Sequence, residues 1–451
     1  MGAHPSPDLL ASSLDDPSQG ERGHVQIQRV AVLGLGYVGL PLVRACVANG
    51  HEVIGFDVSQ RVTDNLALGI SHVDDVSDSE VKDWLAQGFL PTADASMLSQ
   101  IDVFVICVPT PLSSDGTPDL SAVESAARLI TGQIHSGRRP LVVLESTTYP
   151  GTTEEIVKPI LESGGLLAAQ DFSLAFSPER IDPGNATWTF ENTPKLVGGY
   201  TSQCADRAEE FYSSLTTKVV RTKGLKEAEM AKLLENTYRH VNIALVNELA
   251  KVSHLLGIDF WDVIAAAETK PHGFQAFRLG PGVGGHCIPI DPNYLGHRVR
   301  AELGQSLRFV ELAQEINASM PEYVAHRVVE LFAKAGSSVS GSKVLLLGIT
   351  YKPDIADVRE SPAYGVARSL RELGAHVSYH DEHIAQWDVD GEAVARVAAL
   401  AQSREFDCTV LLQSHMRYLE CLDEISSPLM LDTQGRVARI GGAHVPAWST
   451  L

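Results

Sequence analysis

Positive charge is scarce in this chain: 36 Lys and Arg stand against 56 Asp and Glu, a formal net charge of −20 over 451 residues. That balance excludes a general binder of nucleic acid or of an anionic membrane surface, since both need basic patches. Small anionic ligands remain possible through local Arg, Lys and helix N-termini. No uninterrupted apolar run of about 18 residues is present, which excludes a membrane-spanning helix. Cysteine is sparse too. Cys46, Cys107, Cys204, Cys287, Cys408 and Cys421 show neither a CxxC nor a Cys/His metal spacing, so neither a disulfide framework nor a metal site is indicated. Free thiols suit a reducing cytoplasm. Residues 1–28 lack the basic start and apolar core of a signal peptide. Rich in Ser, Asp, Pro and Gly, they read as a disordered tail.

What is there is ordinary globular material, 44% hydrophobic and 20% charged, in a chain long enough for two or three domains. The apolar, β-branched run at 29–33 meets a glycine-rich turn, a helix-like stretch at 40–48 and a second apolar run at 53–57, which makes a βαβ unit. Further buried-strand candidates follow at 103–108, 141–144, 174–176 and 195–197. From 226 to 256 the pattern becomes a long helix, with Met230, Leu233, Leu234, Val241, Ala244, Leu245, Leu249 and Val252 near the 3.6 period and Gly257 as its stop. More helix is expected at 306–335. A second α/β unit begins at 343–348, with later strands at 377–381 and 408–412. The expected fold class is therefore α/β, with two Rossmann-like doubly wound domains joined by a long central helix and a helical middle domain. The expected divisions are a tail at 1–28, a first α/β domain at 29–215, a helical segment at 216–325 and a last α/β domain at 326–451.

Gly34-Leu35-Gly36-Tyr37-Val38-Gly39 fits the G-x-G-x-x-G fingerprint: a tight turn, a close backbone approach to pyrophosphate, and close packing of helix on strand. Alone, such glycines are weak evidence. The strand before, the helix after and Asp57 at the end of the second strand supply the context that dinucleotide binding requires. Asp57 suits the ribose hydroxyls and repels a 2′-phosphate, which favours NAD; Arg61 nearby is the residue type that accommodates that phosphate. A strand-end or helix-capping carboxylate is the other use for Asp57.

A second glycine-rich stretch surrounds a thiol, Gly280-Pro281-Gly282-Val283-Gly284-Gly285-His286-Cys287-Ile288-Pro289-Ile290-Asp291-Pro292. Gly282, Gly284 and Gly285 strip side chains from the approach to Cys287, while the prolines stiffen the loop. A cofactor site with such a thiol suggests oxidation through a covalent intermediate; a structural turn with an incidental cysteine is the alternative. Cys46, Cys107 and Cys408 sit in apolar stretches as inert core thiols. No partner is evident for Cys204 or Cys421. His286 either lowers the thiol pKa or fills a hydrogen-bond requirement of the loop. Asp291 either activates a water or a neighbouring base, or is a turn carboxylate. Lys232 and Asn236 share a helix face at i,i+4, which by itself reads as a surface lysine beside a polar neighbour. Glu179, Arg180 and Thr148 lie just beyond apolar strands, where open α/β sheets place ligands.

Taken together, these stretches resemble the UDP-glucose/GDP-mannose dehydrogenase family of nucleotide-sugar 6-dehydrogenases over residues 29–440. The likeness is carried by the 34–41 turn, Val108-Pro109-Thr110-Pro111, Ser146-Thr147-Thr148-Tyr149-Pro150, Ser177-Pro178-Glu179-Arg180, Lys232-Leu233-Leu234-Glu235-Asn236, Gly284-Gly285-His286-Cys287 and the 351–362 segment. It is closest to the branch acting on UDP-N-acetylglucosamine. The resemblance implies a four-electron oxidation of a sugar C6 alcohol to a carboxylate with NAD, through a Cys287 thiohemiacetal and thioester. By it Lys232 stabilises an oxyanion or shuttles protons, Asn236 and Thr148 position the reacting oxygen and a water, and Glu179 and Asp291 activate water or transfer protons. Developing negative charge at C6 needs donors and a cation, and a thioester needs an activated water, so these residue types suit the chemistry.

The resemblance further places Gly34, Gly36, Tyr37, Val38, Gly39, Asp57, Arg61, Pro109, Thr110, Thr148 and Arg359 on the cofactor. It places Glu179, Arg180, Lys232, Asn236, Gly284, Gly285, Tyr351 and Lys352 on the UDP-sugar, with Lys352 at the phosphates. It implies a homodimer or higher homo-oligomer built on the long helix, and a role in making surface polysaccharide or a specialised glycoside. Two positions depart from the family. The 270–279 loop carries His272, Gln275, Ala276 and Arg278 where the N-acetylglucosamine branch tends to carry aromatics, and Ile290 replaces a lysine of the glucose branch. UDP-N-acetylmannosamine, UDP-glucose or a rarer nucleotide sugar are the alternatives. A two-electron β-hydroxyacid-type dehydrogenase has no need of Cys287 or a third domain. A non-catalytic nucleotide sensor has no reason to keep the full polar set.

Overall fold

Strand β1 (Arg29–Leu33) is apolar on both faces, as a central parallel strand must be, and Val30, Ala31, Val32 and Leu33 are all buried. In this computed structural model, which describes residues 26–73, 75–113, 116–135, 137–181, 185, 187–285, 288–436 and 447–451, β1 lies within an eight-stranded sheet. His286, Cys287 and nearly all of the expected tail fall outside the described residues. The other strands of the sheet are β2 (Glu52–Phe56), β3 (Leu90–Thr92), β4 (Val103–Ile106), β5 (Leu141–Leu144), β6 (Ser173–Phe176), β7 (Lys195–Gly199) and β8 (Val219–Arg221). Their order is β3-β2-β1-β4-β5-β6-β7-β8, parallel except for the β6–β7 pair. Val30 pairs with Val53 on one side and Val103 on the other. The pleat sends Val30 and Val32 into one core and Ala31 and Leu33 into another, each covered by helices.

Strands β9 (Lys343–Leu347) and β10 (His376–His380), a hairpin of β11 (Asp388–Val389) and β12 (Glu392–Ala393), and strands β13 (Ala395–Arg396), β14 (Cys408–Leu411), β15 (Leu429–Asp432) and β16 (Ala447–Thr450) complete the chain. Apart from the hairpin they form a parallel sheet ordered β13-β10-β9-β14-β15-β16. Each sheet reverses its strand order beside its first strand, at β1/β4 and at β9/β14. Crevices outside the carboxyl ends at such points are where open α/β sheets hold ligands. A cavity of about 1460 Å³ opens onto both, bordered by Gly34, Gly36 and Pro109 on one side and by Tyr351, Lys352 and Gln413 on the other.

Between the sheets the helix Leu225–Leu255 runs for 31 residues, about 46 Å at 1.5 Å per residue. The apolar residues that keep the 3.6 period are divided between two faces. Leu233 and Ala244 are buried, whereas Met230, Leu234, Leu245, Leu249 and Val252 are exposed. The buried face packs on helix Arg308–Ala318, where the Asn247 amide donates to Asn317 Oδ1 at 3.0 Å and Lys251 Nζ to Ser319 Oγ at 2.6 Å.

Three expectations need correction. The helix at 306–335 is two helices, Arg308–Ala318 and Met320–Lys334, because Pro321 has no N–H to continue the first and opens the second instead. The second packs Val324, Val328 and Leu331 into the same core as Val344 and Leu346 of β9, so it belongs with the last sheet and crosses the expected division at 325. Likewise β8, counted with the helical segment, pairs in parallel with β7.

Candidate active site

The glycine turn is built by steric necessity. Gly34 has φ +95°, and a Cβ there would stand 2.6 Å from the Cys107 carbonyl oxygen; one on Gly39 would stand 1.9 Å from the Gly34 carbonyl oxygen. At Gly36 a Cβ would meet nothing within 4 Å, leaving bare backbone towards the cavity. Asp57 holds the turn in place: Oδ2 accepts the Leu35 N–H at 3.0 Å and Oδ1 the Ser59 N–H at 2.9 Å, while its side also borders the cavity. Asp57 thus has the strand-end structural use, and its place on the cavity wall leaves it available to a ribose. Tyr37, Val38, Pro109 and Thr110 line the same wall. The Thr110 hydroxyl donates to the Thr147 carbonyl at 2.9 Å, and the Tyr294 hydroxyl donates to the Thr110 carbonyl at 2.6 Å. These groups fit a dinucleotide. Arg61 is exposed on helix Gln60–Ala67 and does not border the cavity.

Lys232, Glu235, Asn236, Arg239 and Ile243 recur at three- and four-residue steps and turn one face of the long helix into the cavity. Lys232 and Asn236 therefore face the cavity and are not a solvated lysine with a polar neighbour. Lys232 Nζ donates to the Glu179 carbonyl oxygen at 2.7 Å, and the Asn236 amide donates to Asp291 Oδ2. Asp291 is not in a turn; it is the first residue of helix Asp291–Leu303 and is buried. Burial pushes its carboxyl up to about 6, against the pull of the Lys232 charge and the Asn236 hydrogen bond. Such a group is poised between proton acceptor and donor near neutral pH.

Glu179 is also nearly buried. Its Oε1 accepts the Arg180 and Ile181 amides at 2.6 and 2.5 Å. Arg180 turns to Glu235, at 2.7 Å, and to the Pro194 carbonyl. Thr147 borders the cavity, whereas Thr148 is buried beside it with a hydroxyl that finds no hydrogen-bond partner among the described residues. An unsatisfied buried hydroxyl is uncommon in a folded protein.

Gly284 and Gly285 border the cavity, and what their missing side chains make room for is the last domain. A Cβ on Gly284 would stand 2.7 Å from the Glu360 carbonyl oxygen, and one on Gly285 2.7 Å from the Tyr351 ring. Their bareness admits the last domain, seating Tyr351 directly on the loop. Arg359 bridges the same gap: it pairs with Asp357 and lies 5.5 Å from the centre of the Tyr37 ring. Of the 270–279 loop, Arg278 and Leu279 reach the cavity, whereas His272, Gln275 and Ala276 do not; Gln275 accepts the Tyr238 hydroxyl at 2.9 Å.

Behind Tyr351 and Lys352 lie Asp354, His383 and His415, close enough to suggest a metal. Both ring nitrogens of His415 are engaged, Nδ1 by the Asp354 amide at 2.8 Å and Nε2 by Asp381 at 3.1 Å. The cluster works as an anchor for the 350–354 loop. Among the remaining thiols, burial pushes Cys46 and Cys107 well up and Cys408 to about 12, which leaves them inert. Cys204 receives the Thr201 hydroxyl at 3.2 Å.

One group was missed in the sequence. Lys195 of β7 is buried between Glu145 at 3.1 Å and Glu179 at 3.3 Å, and the Tyr212 hydroxyl donates to Glu145. The signal available was a lysine and a glutamate at the ends of apolar strands, where each demands a partner.

A largely parallel sheet with a dinucleotide turn, facing a second Rossmann-like sheet across a cavity with a buried acid, a lysine and an asparagine, is the frame of a nucleotide-dependent oxidoreductase. The chain belongs to the UDP-glucose/GDP-mannose dehydrogenase family: its NAD binding domain matches residues 28–216, its central domain 226–319 and its UDP binding domain 345–439. It is similar to a UDP-N-acetyl-D-mannosamine dehydrogenase of Pyrococcus horikoshii, 36% identical over 79% of this chain and 84% of that one. A UDP-N-acetyl-D-glucosamine 6-dehydrogenase of Pseudomonas aeruginosa is 34% identical over 86% and 91%. The solved structure of the UDP-D-ManNAc dehydrogenase of Pyrococcus horikoshii superposes with a TM-score of 0.83 at 31% identity, covering 94% of this chain and 98% of that one. The chain is an NAD-dependent UDP-sugar dehydrogenase.

Proposed function

We propose that the chain oxidises the C6 alcohol of a UDP-N-acetylhexosamine, foremost UDP-N-acetylglucosamine, to the uronate in two successive two-electron steps. The observation that carries this reading is the single cavity joining the glycine turn, the Lys232, Asn236 and Asp291 cluster, and Tyr351 and Lys352. Gly34, Gly36, Tyr37, Val38, Gly39, Asp57, Pro109, Thr110 and Arg359 would hold NAD, which would supply the hydride acceptor for each two-electron step. The chain's residues do the rest. Asp291 takes the C6 hydroxyl proton, with Asn236 holding its carboxylate. Lys232 stabilises negative charge on the C6 oxygen. Cys287 adds to the aldehyde and retains it, first as a thiohemiacetal and then as a thioester. Thr148 and Glu179 position and activate the water that hydrolyses the thioester. Tyr351 and Lys352 hold the uridine diphosphate end, and Gly284 and Gly285 let Tyr351 approach.

Relatives named for mannosamine and for glucosamine stand at nearly the same identity, so UDP-N-acetylmannosamine is the second reading. Ile290 argues against UDP-glucose, where the family carries a lysine. The product, a UDP-linked uronic acid, suits polysaccharide or glycoside assembly in the cytoplasm. The exposed apolar stripe of the long helix supports a homodimer. The test is NADH formed per mole of UDP-sugar across the N-acetylglucosamine, N-acetylmannosamine, N-acetylgalactosamine and glucose compounds. Two equivalents with an N-acetylhexosamine are expected. One equivalent overturns the four-electron scheme, and two with UDP-glucose alone overturn the substrate.

A further inference from the structure

Lys195 carries more counter-charge than it needs. Its ammonium, covered by the faces of Phe190 and Tyr212 at 5.1 and 5.2 Å, lies between two carboxylates, Glu145 and Glu179. One anion would neutralise it, and a second in so dry a wall is a burden unless it has a use. The use follows if one carboxylate changes protonation state in every catalytic cycle. Glu179 borders the cavity with one oxygen pinned by two backbone amides and the other turned to Lys195. Glu145 has no exposed surface and is held by Tyr212.

We propose that Lys195 and Glu145 are positioning residues for Glu179. Lys195 fixes the direction of the Glu179 carboxylate, and Glu145 keeps Lys195 neutralised while Glu179 carries a proton. The inference rests on the reading of Glu179 as the base of thioester hydrolysis. In that step the water oxygen bonds to C6 and one water proton passes to Glu179. The C6–S bond then breaks with its electron pair on the Cys287 sulfur, and Glu179 later returns the proton to solvent.

Burial, with the Glu179 charge adding, pushes Glu145 up to about 7 against the pull of Lys195. With Glu179 protonated that added push is gone, so Glu145 is the anion that remains opposite Lys195 and the buried ammonium is not left unpaired. The groups facing the trio are Tyr212 from helix Ser202–Ser213, Cys107 after β4 and Cys46 from helix Gly39–Ala48. Lys232 of the long helix lies on the Glu179 carbonyl.

The experiment is single-turnover rapid quench of the full chain with NAD and its active UDP-sugar, across pH, following NADH and the covalent adduct by mass. Lys195→Met should keep the first oxidation, accumulate thioester and slow hydrolysis by about 10²-fold, the scale of a displaced catalytic group. Its acid limb should move to higher pH, because two carboxylates then face each other without a cation. Glu145→Gln should move the limb to lower pH, because Glu179 then faces the cation alone. Opposite displacements are not produced by a merely structural role. Unchanged profiles, or limbs moving in the same direction, overturn the proposal. Should Lys195→Met not fold, Lys195→Arg, which keeps the charge and should keep hydrolysis within a few-fold of the parent, carries the test with Glu145→Gln. If Glu179→Gln hydrolyses the thioester at the parent rate, the reading of Glu179 itself has failed.

Discussion

Lys232 Nζ donates to the main-chain carbonyl of Glu179 at 2.7 Å, not to its carboxylate. The ammonium thereby ties the long helix to the loop after β6 while its charge stays beside Asp291 and free to serve a developing oxyanion. Lys232→Met is expected to lower the rate of the first hydride transfer by about 10²–10³-fold, the scale of losing one oxyanion donor. Stopped-flow NADH absorbance reads it directly. Lys232→Arg should not restore the rate, since a planar guanidinium cannot replace a compact ammonium in this position. A normal burst in either variant would remove Lys232 from the chemistry.

Asp291 sets a pH dependence whose sign is fixed by the direction of its shift. Its carboxyl is raised from 3.8 to about 6, so the folded protein holds the proton more tightly than the unfolded chain. Stability is then lost as pH rises from about 4 through 6, and above that the ionised group costs about 3 kcal/mol. Asp291→Asn removes the charge. It should melt higher than the parent at pH 7.5, converge with it towards pH 4, and have little activity, a trade of stability for function. Thermal melts at three pH values decide it; a lower melting temperature at pH 7.5 would contradict the buried-charge account.

The exposed stripe of the long helix predicts self-association. Leu234 is 60% and Leu245 50% exposed, on a helix whose opposite face is already packed. Leu234→Glu with Leu245→Glu should halve the mass seen by light scattering while leaving NAD binding intact. A monomeric parent would refute the dimer.

Legibility in the sequence followed the kind of signal. Runs apolar on both faces, such as 29–33 and 343–347, announced parallel central strands, because only that environment buries both sides. Edge strands of two or three residues, β3, β8 and β13 among them, carry too few residues to show a period. The long helix was legible in length but not in orientation: two apolar stripes share it, and periodicity cannot say which one the monomer buries. At the site, the glycine turn and Asp57 could be read from spacing alone, whereas Glu145 and Lys195 are 50 residues apart and meet only because β5 and β7 flank β6. Gly284 and Gly285 showed that room was needed but not that Tyr351 takes it.

Arg359 tests how far the last domain contributes to the cofactor site. Its guanidinium is held by Asp357 and lies 5.5 Å from the Tyr37 ring centre, so it brings the last domain into direct contact with the glycine turn. A cation over an aromatic face at a half-exposed site is worth about 0.5–1 kcal/mol, and a charge at the mouth of a pyrophosphate site adds to it. Arg359→Ala should therefore raise the Kd for NAD by about 3- to 10-fold, given that about 1.4 kcal/mol is tenfold. Because the affected contact joins two domains, the loss should grow when UDP-sugar is present and the domains are drawn together. Arg359→Lys should recover part of the charge but not the stacking. Titration by NAD fluorescence quenching, with and without UDP, separates the outcomes: equal Kd for parent and Arg359→Ala in both conditions would confine Arg359 to its salt bridge with Asp357.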